Sequence, residues 1–277
     1  MSAKAPLRLT NYGVLGIRGA DATTFLHAQL SSNVAALGIG ECQFTSLNTA
    51  RGRVFSVGWL IGTNSGFFWI LPAGEVQPVL DHLARYVLRA DVALENLNES
   101  HTVIGSPTSA MVGDDAYVVV RNGRRLTVGV DEKPIAVMNT EEHQAEIWDL
   151  AEIRDGLPSI VAANREQFVA QALNLDLTGA IDFSKGCYPG QEIIARLRYR
   201  GSVKQRMFRF ATTRSANAGD LVTNNGDPVG RVVRCAPAAD RFELLAVVRL
   251  PALDSALTVG GQALQRLGLP YEEPANS

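Results

Sequence analysis

The hydrophobic period of this 277-residue chain changes once, near Gly201, and that change restricts the fold more than any other feature. Before it, helical and strand-like stretches alternate. "ADATTFLHAQLSSNV" (20–34) sets Phe25, Leu26 and Leu30 on one helical face and closes at Ser31-Ser32-Asn33. "RGRVFSVGWLIGTNSGFFWILPAG" (51–74) reads as two strands joined through Gly62–Gly66. "GEVQPVLDHLARYVLR" (74–89) spaces Val76, Val79, Leu80, Leu83 and Val87 as a helix, with Pro78 tolerated in the first turn. "AYVVVRNGRRLTVGV" (116–130) is a second hairpin, where Asn122-Gly123 favours a primed turn. "EEHQAEIWDLAEIRDGLP" (141–158) is a helix that Gly156 caps and Pro158 bars from continuing. Alternating helices and hairpins predict an α+β class.

After Gly201, "KQRMFRFATT", "GDLVTNNGDPVGRVVRCA" and "RFELLAVVRL" are short strand-like runs broken by Asn-Gly and Gly-Asp. They predict a small C-terminal β-barrel. The length suffices for two domains, expected at residues 1–200 and 201–277.

Apolar residues make up 46% and charged residues 19%, enough for a packed core. A net charge of −2 excludes a globally basic nucleic-acid binder, so any charge-driven partner must meet a local patch. Cys42, Cys187 and Cys235 are too widely spaced for a disulfide framework or a zinc site, and four scattered histidines add no cage. No segment reaches the roughly 18–20 apolar residues of a membrane helix. The N-terminus lacks the apolar run of a signal peptide, so a cytoplasmic location without a membrane partner is expected.

Chemistry concentrates in "FSKGCYPGQEIIARLRYRGSVKQR", Phe183 to Arg206. Tyr188-Pro189-Gly190-Gln191-Glu192 resembles a helix start, with Pro189 in the first helical position and Ile193, Ile194 and Leu197 forming a face behind it. Cys187 then precedes a helix N-terminus, where the dipole and the nearby Lys185 favour a thiolate. Gly186 and Gly190 allow unusual backbone angles or a close approach. A small buried cysteine in a tight turn is the competing reading. Cys42 and Cys235 lie in or beside strand-like runs without such a setting. From Lys185 to Arg209 stand Lys185, Arg196, Arg198, Arg200, Lys204, Arg206 and Arg209 against Glu192 alone. That excess suits an anionic ligand such as a polyglutamate tail or an RNA backbone, or is simply a solvated helix face.

"KGCYPGQE" at Lys185–Glu192 resembles the signature of the YgfZ-type folate-binding proteins. These are relatives of the glycine cleavage T-protein (aminomethyltransferase) that act in iron–sulfur cluster assembly or repair. "FLHAQLSSNV" at Phe25–Val34 is similar to the family's helix, with Ala28 where glycine is usual and no aspartate before Val34. "LNTARGRV" (Leu47–Val54), "YVLRADV" (Tyr86–Val92), "RDGLP" (Arg154–Pro158) and "LNLDLTGAIDFSKGCYPGQEIIARLRYRG" follow in the family's order, over roughly residues 10–235.

The resemblance implies a T-protein-like body of two interleaved α+β subdomains around a central folate pocket, followed by a C-terminal β-barrel. It implies a tetrahydrofolate-binding accessory protein that supports iron–sulfur enzymes, tRNA-modifying ones included. Cys187 is then its functional thiol, with Lys185 beside it and Gly186, Tyr188, Gly190, Gln191 and Glu192 completing the motif. Arg51, Gly52, Arg53, Arg154, Asn174 and Arg196 match landmarks around the folate site; for Arg154 and Asn174 a structural hydrogen-bonding role competes. No stably bound metal or cluster is expected, because one thiolate does not hold a [4Fe–4S] centre. Aminomethyltransferases carry an aspartate pair where this chain has Phe55 and Ser56, so acid–base support at the folate nitrogen lacks a supplier. An accessory factor is therefore expected over an aminomethyl- or methyltransferase. A non-catalytic RNA- or protein-binding module is the remaining alternative. A cysteine hydrolase needs a histidine base, and none lies in the motif segment around Cys187.

Overall fold

The structure, a computed structural model, describes residues 6–107, 117–121, 124–130 and 143–271. In chain order the elements are β1 (Leu7–Arg8), β2 (Tyr12–Arg18), α1 (Ala22–Gln29), β3 (Cys42–Asn48), β4 (Val54–Thr63), β5 (Gly66–Pro72), α2 (Val76–Ala84), β6 (Ala93–Asn96), β7 (His101–Pro107), β8 (Tyr117–Arg121), β9 (Arg124–Val130), α3 (His143–Arg154), α4 (Gln191–Tyr199), β10 (Gln205–Thr212), β11 (Leu221–Asn224), β12 (Asp227–Ala238), β13 (Arg241–Arg249), β14 (Leu257–Val259), β15 (Gln262–Ala263) and β16 (Gln265–Leu267). The class is α+β, as expected.

Three antiparallel sheets carry the fold. The first has the order β3-β4-β5-β2-β6 and the second β1-β7-β9-β8. The chain enters the second sheet through β1, builds the first, and returns through β7, which pairs with β1. The two α+β units are therefore interleaved. The third sheet runs β15-β14-β11-β12-β13-β10-β16. Its two edge strands are separated in sequence by Leu264 alone, so the sheet curls until its edges nearly meet.

Helix α1 stops at Gln29, just before the expected stop at Ser31-Ser32-Asn33, because Leu30 leaves it to bridge Leu47 on the edge of β3. Helix α2 ends at Ala84 rather than 89, and its buried face is Val76, Val79 and Leu83. The β4–β5 turn is tighter than the glycine spacing suggested: Thr63 pairs with Gly66, leaving Asn64-Ser65 as the loop. Residues 122–123 and 131–142 lie outside the described residues, and with them the Asn122-Gly123 turn and the first residues of the 141–158 helix. At the other end of α3, Gly156 adopts φ 67° and Leu157 N–H donates to the Glu152 carbonyl, which closes the helix. Asn225-Gly226, with φ 50° and 90°, makes the primed turn between β11 and β12.

Side-chain alternation explains the continuous apolar run of β13. Leu244, Ala246 and Val248 point into the barrel with Phe208, Phe210 and Val222. Leu245 and Val247 point outward and join Met207, Val233 and Ala236 on the body. That outward face meets Trp59 and Phe68 of the first sheet, Leu126 and Val128 of the second, and Trp148 of α3 in one cluster. Helices α1 and α2 cover the opposite face of the first sheet through Phe25, Leu26, Val79 and Leu83.

Candidate functional site

The 182–191 segment is built on a polar anchor. The Asp182 carboxylate accepts from Ser184 N–H (2.7 Å), Ser184 Oγ (2.6 Å) and Lys185 N–H (3.2 Å). These bonds, the Ser184 hydroxyl first, hold its carboxyl below the usual range. The Lys185 ammonium reaches across to α1. It donates to the His27 and Leu30 carbonyls at the end of α1 and lies 4.8 Å from the Tyr188 ring. Only 9% of Lys185 is exposed, and burial lowers its pKa to about 8, with Asp182 opposing. Lys185 therefore satisfies orphan carbonyls of α1. Its charge serves that helix end.

Cys187 is exposed. Tyr188 beside it is buried in the central cluster, its hydroxyl lacks a partner, and burial pushes its pKa up to about 12. Helix α4 begins at Gln191, not at Pro189, because Gly190 sits in the left-handed region at φ 79° as the N-cap. Cys187 thus precedes the helix by a full turn of chain. The Gln191 side chain reaches back to the Lys185 carbonyl at 3.4 Å, and Glu192 stays exposed in the first turn.

The second landmark packs directly on this one. Gly52 occupies a turn at φ 71°, closed by its N–H to the Thr49 carbonyl. A Cβ on Gly190 would lie 2.6 Å from Thr49 O and 2.7 Å from Gly52 Cα. A Cβ on Gly52 would lie 2.7 Å from Ile193 Cβ. Both glycines permit a backbone contact that any side chain would prevent. Arg53 donates to the Gln167 carbonyl at 2.9 Å, while Arg51 is exposed at the turn.

Arg154 and Asn174 lie elsewhere. Arg154 makes a two-pronged bond to Glu243 of β13 (2.8 and 3.2 Å), and the Asn174 amide donates to the Met207 carbonyl and Tyr271. Both face the C-terminal sheet. Arg196 is exposed on α4. Of the expected basic strip, Arg206 is buried against Asp176 (2.6 Å) and Arg209 lies 4.0 Å from Glu243, whereas Arg196, Arg198, Arg200 and Lys204 are exposed. Phe55 and Ser56 are both buried; Phe55 packs on His82 at 4.3 Å and under Arg165 at 5.1 Å.

A cleft of about 590 Å³ opens beside the motif, lined by Ser32, Asn33, Gln43, Asp182, Arg198 and Tyr199 among others. Ile181 belongs both to its wall and to the central apolar cluster. Asn33 Oδ1 and Gln43 Nε2 are buried there without partners. Below it a chain of hydroxyls ties the segment to β3: Ser31 Oγ donates to Ala180 O (2.7 Å) and accepts from Ser46, while Ser32 Oγ bonds Thr45 (2.8 Å). In sequence Ser31-Ser32-Asn33 reads as a helix stop, and Asp182 does not stand out from its neighbours. The available signal was a polar triplet and a polar Thr45-Ser46 pair inside otherwise apolar elements.

An uncharacterized protein of Haemophilus influenzae is 32% identical over 212 residues, covering 74% of this chain and 72% of that one. The tRNA-modifying protein YgfZ of Aliivibrio fischeri is 26% identical over 291 residues, covering 95% of this chain and 91% of its own. The chain is a YgfZ-type, T-protein-like protein. The YgfZ protein of Vibrio atlanticus is 26% identical over 221 residues, covering 72% and 67%. No family model matches. The YgfZ-type fold is that of the glycine cleavage system aminomethyltransferase T from Bartonella henselae, with a TM-score of 0.63 at 12% identity, covering 96% of this chain and 85% of that one. Among the described residues of this YgfZ-type protein, no three His, Cys, Asp or Glu side chains group to hold a metal, and no helix is long and apolar enough to cross a membrane.

Proposed function

We propose that the protein binds tetrahydrofolate and presents Cys187 to client enzymes that carry iron–sulfur clusters, those that modify tRNA among them. The observation that carries this reading is an exposed thiol on a loop pinned at both flanks, by Lys185 on α1 and by Gly190 on Gly52. Pinning fixes where the thiol projects, which a structural cysteine does not need. The relatives' name, tRNA-modifying protein, supports the choice of clients.

The cleft fits a folate. Asp182, Asn33 and Gln43 offer an acceptor carboxylate and orphaned amide atoms of both senses to a pterin edge. Phe183 and Tyr199 offer ring faces, and Arg198 offers a cation to the glutamate carboxylates. Bound tetrahydrofolate supplies nucleophilic nitrogens for one-carbon chemistry. The chain's own residues bind and orient it. Phe55 and Ser56, buried where an aminomethyltransferase has carboxylates, leave no side chain there to move a proton, which supports an accessory role.

Titration calorimetry with tetrahydrofolate tests the ligand, and Asp182→Asn should weaken binding at least ten-fold. Cys187→Ser should leave folate binding and thermal stability unchanged while lowering the activity of iron–sulfur enzymes in cells under oxidative stress. Undiminished activity with stably folded Cys187→Ser would rule out the thiol's role.

A further inference from the structure

We propose that the exposed end of α4 and the loop after it bind single-stranded RNA. From Ile193 to Gly219 the chain contains no acidic residue and seven cations: Arg196, Arg198, Arg200, Lys204, Arg206, Arg209 and Arg214. The fold sorts them. Arg206 and Arg209 are turned to Asp176 and Glu243, and Arg214 lies beyond the far end of β10. Arg196, Arg198, Arg200 and Lys204 stay exposed within nine residues of chain. Glu192, the acid of this helix, sits in the first turn, one turn before Arg196 and two before Arg200.

Charge alone fits any polyanion; the aromatic groups narrow the partner. Tyr199 is 67% exposed, an unusual position for a large ring. Arg198 stacks 3.9 Å over the Phe183 ring and lies 5.7 Å from the Tyr199 ring, and the two rings meet edge-on at 6.5 Å. A planar, braced face beside several free cations matches alternating bases and phosphates. A duplex hides its base faces, and an acidic protein or lipid surface would use the arginines but leave Tyr199 idle. This surface shares Arg198 and Tyr199 with the proposed folate cleft, whereas Arg196, Arg200 and Lys204 lie outside its lining.

The test is fluorescence anisotropy of the full chain with a labelled single-stranded RNA 12-mer, without folate, from 50 to 300 mM KCl. Three to four phosphate contacts predict a slope of about −2 to −3 in log K against log salt. Replacing Arg196, Arg200 and Lys204 together by Ser should reduce that slope by about 2 and weaken binding at least ten-fold at 100 mM. Tyr199→Ala should weaken it roughly five-fold or more at unchanged slope, with Tyr199→Phe retaining affinity. These side chains are exposed, so each variant should melt like the parent. A slope near zero, or a triple variant that binds as well as the parent, overturns the proposal. So does unaltered affinity in Tyr199→Ala together with equal binding of heparin, which would mark a generic polyanion patch.

Discussion

Lys185 shows how the fold gives a side chain partners that its sequence neighbours do not reveal. Adjacent to the motif glycine it reads as a cation for the thiol; in the fold it closes the carbonyls at the end of α1. Its pKa, lowered by burial to about 8, lies below its ordinary 10.5. Below pH 8 both folded and unfolded chains hold the proton, and the burial penalty is present in full. Between about 8 and 10.5 the unfolded chain holds more protons than the folded one, so this residue's contribution to stability improves as pH rises. The stability advantage of the parent over Lys185→Met should therefore widen across that window, by up to about 1.4 kcal/mol per pH unit. Urea unfolding at pH 7.5, 9 and 10 measures it; parallel curves would refute the buried-ammonium account.

At the scale of elements, the decisive contact joins the β3–β4 turn to the start of α4. Two left-handed glycines, far apart in sequence, meet there with no room for a methyl group between them. Alanine at position 190 would have to hold φ 79° and push into the Thr49 carbonyl. The strained angle and the displaced backbone together should cost about 2–4 kcal/mol. Gly190→Ala is expected to lower the melting temperature by roughly 5–10 °C, and more than Gly186→Ala, where a Cβ meets nothing within 4 Å. Equal melting of the two variants would show that the contact is not what holds the motif.

For the whole molecule, the C-terminal sheet is fastened to the body by shared apolar residues and by ion pairs across one seam. Glu243 is 2% exposed and faces Arg154 of the body together with Arg209 and Arg241. Although burial raises its carboxyl, the arginines prevail, Arg154 foremost, and its pKa falls below the ordinary value. That stabilisation is present above the unfolded carboxyl's pKa and is lost as pH falls through the folded one. Glu243→Gln should cost about 1–3 kcal/mol at pH 7, and the cost should shrink as pH falls through the folded carboxyl's pKa. The loss should appear as a lower midpoint of a single calorimetric transition, because Met207, Leu245 and Val247 share their cluster with Trp59 and Trp148. A barrel that melts separately from the body would contradict this.

Period and turn chemistry made much of the fold legible. The core-facing residues of α2, the primed turn at Asn225-Gly226 and the strands of β4–β5 and β10–β13 follow from local rules that neighbours reinforce. The motif from Lys185 to Glu192 was visible because two glycines flank a thiol. Direction was not visible. For Arg154 and Asn174 sequence leaves a folate contact and a structural bond both open; the fold gives them bonds to Glu243 and to the Met207 carbonyl. Arg206 counted as surface charge until Asp176 neutralised it. Asp182, Asn33 and Gln43 come from three separate segments and form one cleft only once the chain closes. Sequence by itself determined the alternating elements and the exceptional backbone positions, since these depend on residues a few steps apart. Tertiary structure alone decided which charges remain free and which polar groups share a cavity, because partners and burial are set by segments distant in the chain, as with Arg206 and Asp176 or Asn33 and Asp182.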